Sequence, residues 1–219
     1  MDLYDVMRAT AAVREFTDDP LPDEKLHRIL DNARFAPSGG NRQGTRVVVV
    51  RERATRERLA VLYEPAVKRY VAQIKAGESP WNSVHPPGPS AEEIAATEVP
   101  QAFIRPLLTA GAVLVFFVDL AVVASMDQDL DRVGVISGAS VYPLVWNVLL
   151  AARNEGFGGT ITTMAAAEEP AVKDLLGVPE TFALAAVVPL GKPVKQLTRL
   201  TRRPVAEFVN RERFDGQPF

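Results

Sequence analysis

The chain has 219 residues, 47% of them apolar, and a formal net charge of −2. That suffices for one domain with a sizeable core and supplies no basic face for nucleic acid. There is no cysteine and there are two histidines, His27 and His85, which excludes disulfides, thiolate zinc sites and a cysteine nucleophile and leaves little for a metal centre or a Ser-His-Asp triad.

Leu3, Val6 and Met7 recur at helical spacing and predict a short first helix over residues 2–10. Met1 to Asp5 carries neither a basic segment nor an apolar one, so no signal peptide is expected. Residues 17–22 read as a turn. Pro22, Asp23 and Glu24 then suit the first turn of a second helix, where a missing N–H costs nothing and acids suit the dipole. Leu26, Ile29, Leu30 and Ala33 form its buried stripe, and His27 lies off it as a surface residue.

Next comes Arg34-Phe35-Ala36-Pro37-Ser38-Gly39-Gly40-Asn41-Arg42-Gln43. A helix that stops at Pro37 and opens into Ser38-Gly39-Gly40-Asn41 exposes backbone N–H groups, a hydroxyl and an amide together. The glycines allow positive φ and close approach of the backbone to a ligand. Taken alone, the run reads as an ordinary helix stop and turn before a strand.

A strand is predicted over Arg46 to Arg51 and a charged helix over Thr55 to Lys75, with Leu59, Leu62, Ala66 and Tyr70 on one face. Residues 77–90 are dense in proline and glycine, which break both helix and strand. The wider segment 77–106 is expected to be a lid, with Trp81 and His85 inside it, either touching substrate or packed on their own domain. The apolar stretch Ala110 to Ala124 is interrupted by Asp119 and falls short of the roughly 20 residues that span a bilayer, so a cytoplasmic protein without membrane contact is expected. Within it, Ala112 to Leu120 reads as a strand covered on both faces. Gly134 to Asn154 is apolar nearly all round and predicts a central helix, kinked at Pro143. Gly158 to Thr163 starts another strand, Pro170 to Leu176 is a short helix stopped by Gly177, and Phe182 to Leu190 is the last core strand. Residues 192–219 are charged and poor in core-sized apolar runs, and read as an arm on the single domain 1–219. Helices and strands in this order require helices on both faces of a small sheet.

Several chemistries have no support. Gly156-Phe157-Gly158-Gly159 lacks the third glycine of a dinucleotide fingerprint and opens a strand, and no Walker lysine motif occurs. Gly138-Ala139-Ser140-Val141-Tyr142 lacks the closing glycine of a nucleophile elbow.

The remaining pieces resemble one family as a set, the FMN-dependent nitroreductase-like flavoproteins. In that family an N-terminal helix ends in Arg-Arg-Ser-x-Arg-x-Phe, and Ala-Pro-Ser-x-x-Asn-x-Gln precedes the first strand. A central helix leads to a Gly-rich strand, and a basic segment lies near the C-terminus. Here Val13-Arg14-Glu15-Phe16, Ala36 to Gln43, Ala139 to Pro143, Gly156 to Met164, Pro189 to Pro193 and Arg202-Arg203-Pro204 stand in that order over nearly the whole chain. The resemblance implies an α/β (α+β) three-layer fold, with a central, mostly antiparallel sheet between helices and the C-terminal arm exchanged in a homodimer. It also implies FMN as cofactor, NAD(P)H as transient reductant, and reduction of a nitroaromatic, quinone or flavin-type acceptor by a ping-pong hydride mechanism. Because the flavin carries that chemistry, no protein residue is expected to be catalytic.

On the same resemblance, Arg14, Pro37, Ser38, Gly39 and Asn41 are assigned to the flavin, the 37–41 run reaching the flavin held largely by the other subunit. Thr162, Thr163 and Met164 map to the segment passing the ring near N5, and Arg202 to the phosphate, with Arg199 and Arg203 in reserve. The chain departs from the pattern where Thr10-Ala11-Ala12 replaces Arg-Arg-Ser and removes phosphate ligands; Arg8, one turn away, is a partial substitute. Gln43 is followed by Gly44-Thr45 instead of Pro-Trp. These departures keep two rivals open: a relative acting on flavin or a specialised cofactor, and a non-catalytic flavin-binding or storage protein.

Overall fold

The computed structural model describes residues 1–219. Its helices are α1 (Leu3–Ala9), α2 (Asp23–Ala33), α3 (Arg53–Lys75), α4 (Ala91–Ala95), α5 (Gln101–Thr109), α6 (Tyr142–Asn154) and α7 (Glu169–Leu176). Its strands are β1 (Thr45–Val50), β2 (Ala112–Asp119), β3 (Gly158–Gly159) and β4 (Phe182–Gly191). None of the helices is long and apolar enough to cross a membrane.

The strands form one sheet in the order β1-β2-β4-β3, and every neighbouring pair is antiparallel. Helices cover both faces, as the apolar run in β2 requires. Along β2, Ala112, Leu114, Phe116 and Val118 face α2 and α6, while Val113, Val115 and Phe117 face α3, α5 and α7. Side chains alternate across a strand, so one continuous apolar segment supplies two separate cores. Each fully buried valine or leucine in these layers contributes about 1.5–3 kcal/mol of transfer free energy. A bulge in β4 opposite Phe116 and Phe117 places Ala185 and Ala186 on the same face. The Ala185 carbonyl then accepts from the Tyr142 hydroxyl at 3.0 Å, tying α6 to the middle of the sheet.

Two expectations are corrected. The central helix begins at Tyr142, not Gly134, and Pro143 lies in its first turn. There the proline's missing N–H has no partner to lose, so it starts the helix instead of kinking it; Ser137–Ser140 before it is a 3-10 turn. The strand expected over 158–163 reduces to Gly158–Gly159 and a single bridge from Thr162 to Val187. Helices α4 and α5 occupy a stretch for which no helix was expected. The first is set by a reciprocal cap, in which Ser90 accepts from the Glu93 N–H and Glu93 from the Ser90 N–H.

Candidate functional site

The 37–43 loop leaves α2 and is held in shape by its own polar atoms. Gln43 N–H donates to Ser38 Oγ at 3.0 Å and Asn41 N–H to Ser38 O at 2.8 Å. Gly39 N–H donates to Ser140 Oγ at 3.2 Å, which fastens the loop to the turn before α6. Gly40, Asn41 and Gln43 all have positive φ, at 60°, 52° and 52°. Glycine takes that conformation freely and asparagine readily, but a glutamine there carries strain. Pro37, Gly39 and Asn41 are exposed and Ser38 is half-buried. The side-chain NH2 of Asn41 donates to no protein atom, while its Oδ1 accepts from Gln43 at 3.3 Å.

The other predicted residues gather at the opposite edge of the sheet. Val13 N–H donates to Gly159 O at 2.9 Å, Thr17 N–H to Lys192 O at 2.9 Å, and Val194 N–H to Glu15 O at 3.1 Å. Residues 13–17 therefore run extended between β3 and the segment that follows β4. Val13 and Phe16 point inward, leaving Arg14 exposed and without an ion pair. This packing requires Gly158 and Gly159: an added Cβ would lie 2.7 Å from Val13 Cγ2 at the first and 2.5 Å from the Pro189 carbonyl oxygen at the second. Thr162 exchanges hydrogen bonds with Val187, at 2.9 and 2.8 Å. Thr163 is exposed, and Thr162 and Met164 are half-buried. Beneath Thr162 lies Tyr63 of α3. Burial pushes the Tyr63 hydroxyl well above its usual range, and Thr162 only partly opposes this; no partner with hydrogen-bond geometry is present.

Arg202 is exposed, and its guanidinium touches only the neighbouring Thr201 carbonyl, at 2.8 Å. Just before it, Leu200 N–H donates to Arg8 O at 3.2 Å, so the basic segment crosses the end of α1. The structure thus brings Arg14 and Thr162–Met164 to one edge, with Arg202 beyond the end of α1. The 37–41 loop feeds β1, the strand at the other edge. Three interstrand steps of about 4.8 Å put roughly 14 Å of sheet between the two groups.

The polar group that the sequence reading misses is Arg153. It belongs to the last turn of α6 and is 9% exposed, with Nε and Nη1 buried and unpartnered. It lines a small cavity with Thr10, Ala11, Ala12, Lys195 and Gln196. A signal existed in the sequence: Val145, Leu149 and Arg153 are spaced four apart, which puts the arginine on the helix's buried stripe. Thr10 does not replace a lost cation, since its hydroxyl donates to Val6 O at 2.7 Å. Of the residues considered for the lid, Trp81 packs on its own domain: Nε1 donates to Ala66 O at 3.2 Å, and Arg69 lies 4.0 Å above the ring. His85 is exposed.

Residues 7–192 match the family model described as the nitroreductase family. An NADH dehydrogenase of Thermus thermophilus is 29% identical over 206 residues, covering 90% of each chain. Among solved structures, oxidised iodotyrosine deiodinase bound to FMN and 3-iodo-L-tyrosine superposes with a TM-score of 0.70 at 23% identity, covering 97% of this chain and 100% of that one. The NADPH:FMN oxidoreductase from Vibrio harveyi complexed with NAD+ gives a TM-score of 0.67 at 20% identity, covering 97% of this chain and 77% of that one. At these identities the structural matches speak for the fold, which agrees with the predicted three-layer arrangement.

Proposed function

The chain belongs to the nitroreductase family, and on that premise we propose that it is an FMN-dependent oxidoreductase working as a homodimer. Its electrons come from NAD(P)H and pass to a small electron-poor acceptor such as a nitroaromatic, a quinone or a flavin. FMN, when bound, supplies the hydride transfer in both directions. The chain's own residues bind and orient it. Arg14 offers an unpaired cation to the pyrimidine end of the ring, Thr162–Met164 the backbone beside N5, Arg202 a cation for the phosphate, and Pro37, Ser38, Gly39 and Asn41 the donors from the second subunit.

The observation that carries this reading is the split of the donor set across the sheet. The 37–41 loop and the group of Arg14 with Thr162–Met164 lie at opposite edges of the sheet, and in this reading pairing with a second copy lets the loop of each reach the far edge of the other. The apolar side chains left in the open support such a pairing: Leu3, Tyr4 and Met7 on α1, Tyr142 and Trp146 on α6, and Phe208, Phe214 and Phe219 in the arm 192–219. An obligate dimer of this kind buries upwards of about 2,000 Å². The proline-rich part of 77–106, anchored through Trp81, serves in this reading as a cover on the acceptor side.

The test loads the purified protein with FMN, removes free flavin, and adds NADH or NADPH without oxygen. Bleaching of the flavin band and its return with a nitroaromatic, a quinone or free flavin is the expected result. No retained flavin, or retained flavin that neither nucleotide bleaches, overturns the reading. A mixed dimer of Arg14→Ala and Asn41→Ala chains tests the shared site. It should titrate with FMN in two phases, one of wild-type affinity and one weaker than either variant. A single phase of intermediate affinity would mean that each chain builds its own site.

A further inference from the structure

We propose that Arg153, at the end of α6, is an anion-binding residue that receives the phosphate of FMN where the chain has Thr10-Ala11-Ala12. This inference rests on the flavin reading above and deepens it.

A guanidinium stays charged at any pH a protein meets and carries five donors. Burying it without acceptors is unfavourable by several kcal/mol. The chain's other buried cations meet that requirement within the protein. Arg56 donates to the carbonyls of Val50, Ala110 and Gly111, and Lys173 donates to the carbonyl and carboxylate of Glu180. Arg153 is buried to the same degree, yet two of its nitrogens have no partner. The nearby acid, Glu155, is already engaged with Lys25 at 2.7 Å and Arg28 at 3.3 Å.

The surroundings of Arg153 select an anion. No acidic residue lines its cavity, which has Lys195 and Gln196 on one wall and the small residues Ala11 and Ala12 on another. The backbone N–H groups of Ala11 and Ala12 donate to no protein acceptor. Arg153 also borders the adjoining open cleft, where Arg8 and Arg199 face a single acid, Asp5. A phosphate monoester has the acceptor oxygens to satisfy an arginine fork, and the adjoining cleft, of about 520 Å³, has room for it beside Arg153. The cation absent from the N-terminal segment is thus supplied from α6, which packs against α1.

The test compares wild type, Arg153→Met and Arg153→Lys as full-length proteins. Each is titrated with FMN and with riboflavin, and its melting temperature is followed with increasing inorganic phosphate. The expected result is a rise of about tenfold or more in the FMN dissociation constant for Arg153→Met, equivalent to about 1.4 kcal/mol. Riboflavin, which has no phosphate, should bind all three within about twofold, and Arg153→Lys should recover part of the FMN affinity. Phosphate should raise the melting temperature of wild type and not of Arg153→Met. Equal weakening of both flavins, or equal stabilisation of wild type and Arg153→Met by phosphate, overturns the proposal. If wild type binds neither flavin, the flavin reading fails by itself and the phosphate arm still decides whether Arg153 is an anion site. Should Arg153→Met not fold, the same comparisons are made with Arg153→Lys, and unchanged FMN affinity there together with an unchanged phosphate response is the refuting outcome.

Discussion

Tyr63 carries a hydroxyl into the core layer of α3, α5 and α7 and is 1% exposed. Its oxygen has no partner with hydrogen-bond geometry, and the nearby Thr162 belongs to the proposed flavin segment. Removing the oxygen in Tyr63→Phe keeps the ring and its packing. A buried hydroxyl without a partner costs about 1–3 kcal/mol, so the variant should gain about 1 kcal/mol at neutral pH. In a protein of this size that raises the melting temperature by roughly 2–4 °C. Burial also raises the Tyr63 pKa above its ordinary value of 10.0. Above about pH 10 the unfolded chain releases this proton and the folded chain keeps it. This group leaves the folding stability unchanged with pH below about pH 10 and lowers it as pH rises towards the folded pKa, at about 1.4 kcal/mol per pH unit. Phenylalanine has no such loss. Urea unfolding followed by circular dichroism at about pH 7, 10 and 11 should therefore show the advantage of Tyr63→Phe growing by about 1 kcal/mol over the last step. A variant that loses about 1 kcal/mol at pH 7 and binds FMN more weakly would refute the reasoning, because the hydroxyl would then be bonded to Thr162.

Gly159→Ala should lower the melting temperature by about 4–8 °C, since about 2 kcal/mol is needed to move β3 away from β4. The added Cβ would meet the Pro189 carbonyl oxygen at 2.5 Å, whereas at Gly77 it meets nothing within 4 Å. Gly77→Ala should then cost only its positive-φ strain, about 1 kcal/mol, and an equal loss in the two variants would argue against the close contact. Arg202→Ala should raise the FMN dissociation constant about fivefold and leave riboflavin unaffected, because an exposed charge contributes about 1 kcal/mol or less; parallel losses would make Arg202 structural. The Asp127 carboxylate is held below its usual 3.8, chiefly by the Val135 N–H and then by Arg132. A lowered carboxylate pKa stabilises above the unfolded value and is lost as pH falls through the folded one, so hydrogen exchange should find the Val135 amide still protected at pH 3.8 and losing protection only at lower pH. Asp127→Ala should abolish that protection at every pH, and an amide that stayed protected would show that another group holds the loop.

The amphipathic stripe Leu26, Ile29 and Ala33, the uninterrupted apolar run of β2 and the Ser38–Asn41 loop were legible from residue order alone. Each depends on a periodicity or a backbone preference contained in a short window. The order and spacing of the weak motifs carried the family, because together they cover nearly the whole chain. Pro143 was misread because one proline suits either a kink or a first turn, and only the packing of α6 on the sheet, with Tyr142 bonded to Ala185, places the helix start after it. Whether Arg153 is solvated or buried is likewise undecided within its own helix. It becomes a buried, unpaired cation because α1 and the segment after β4 close over the end of α6. The separation of Arg14 from Asn41 is a property of strand order, and strand order follows from which apolar faces bury one another across long stretches of chain. Local pattern therefore singled out the candidate donors, and tertiary packing alone decided which of them share an edge of the sheet.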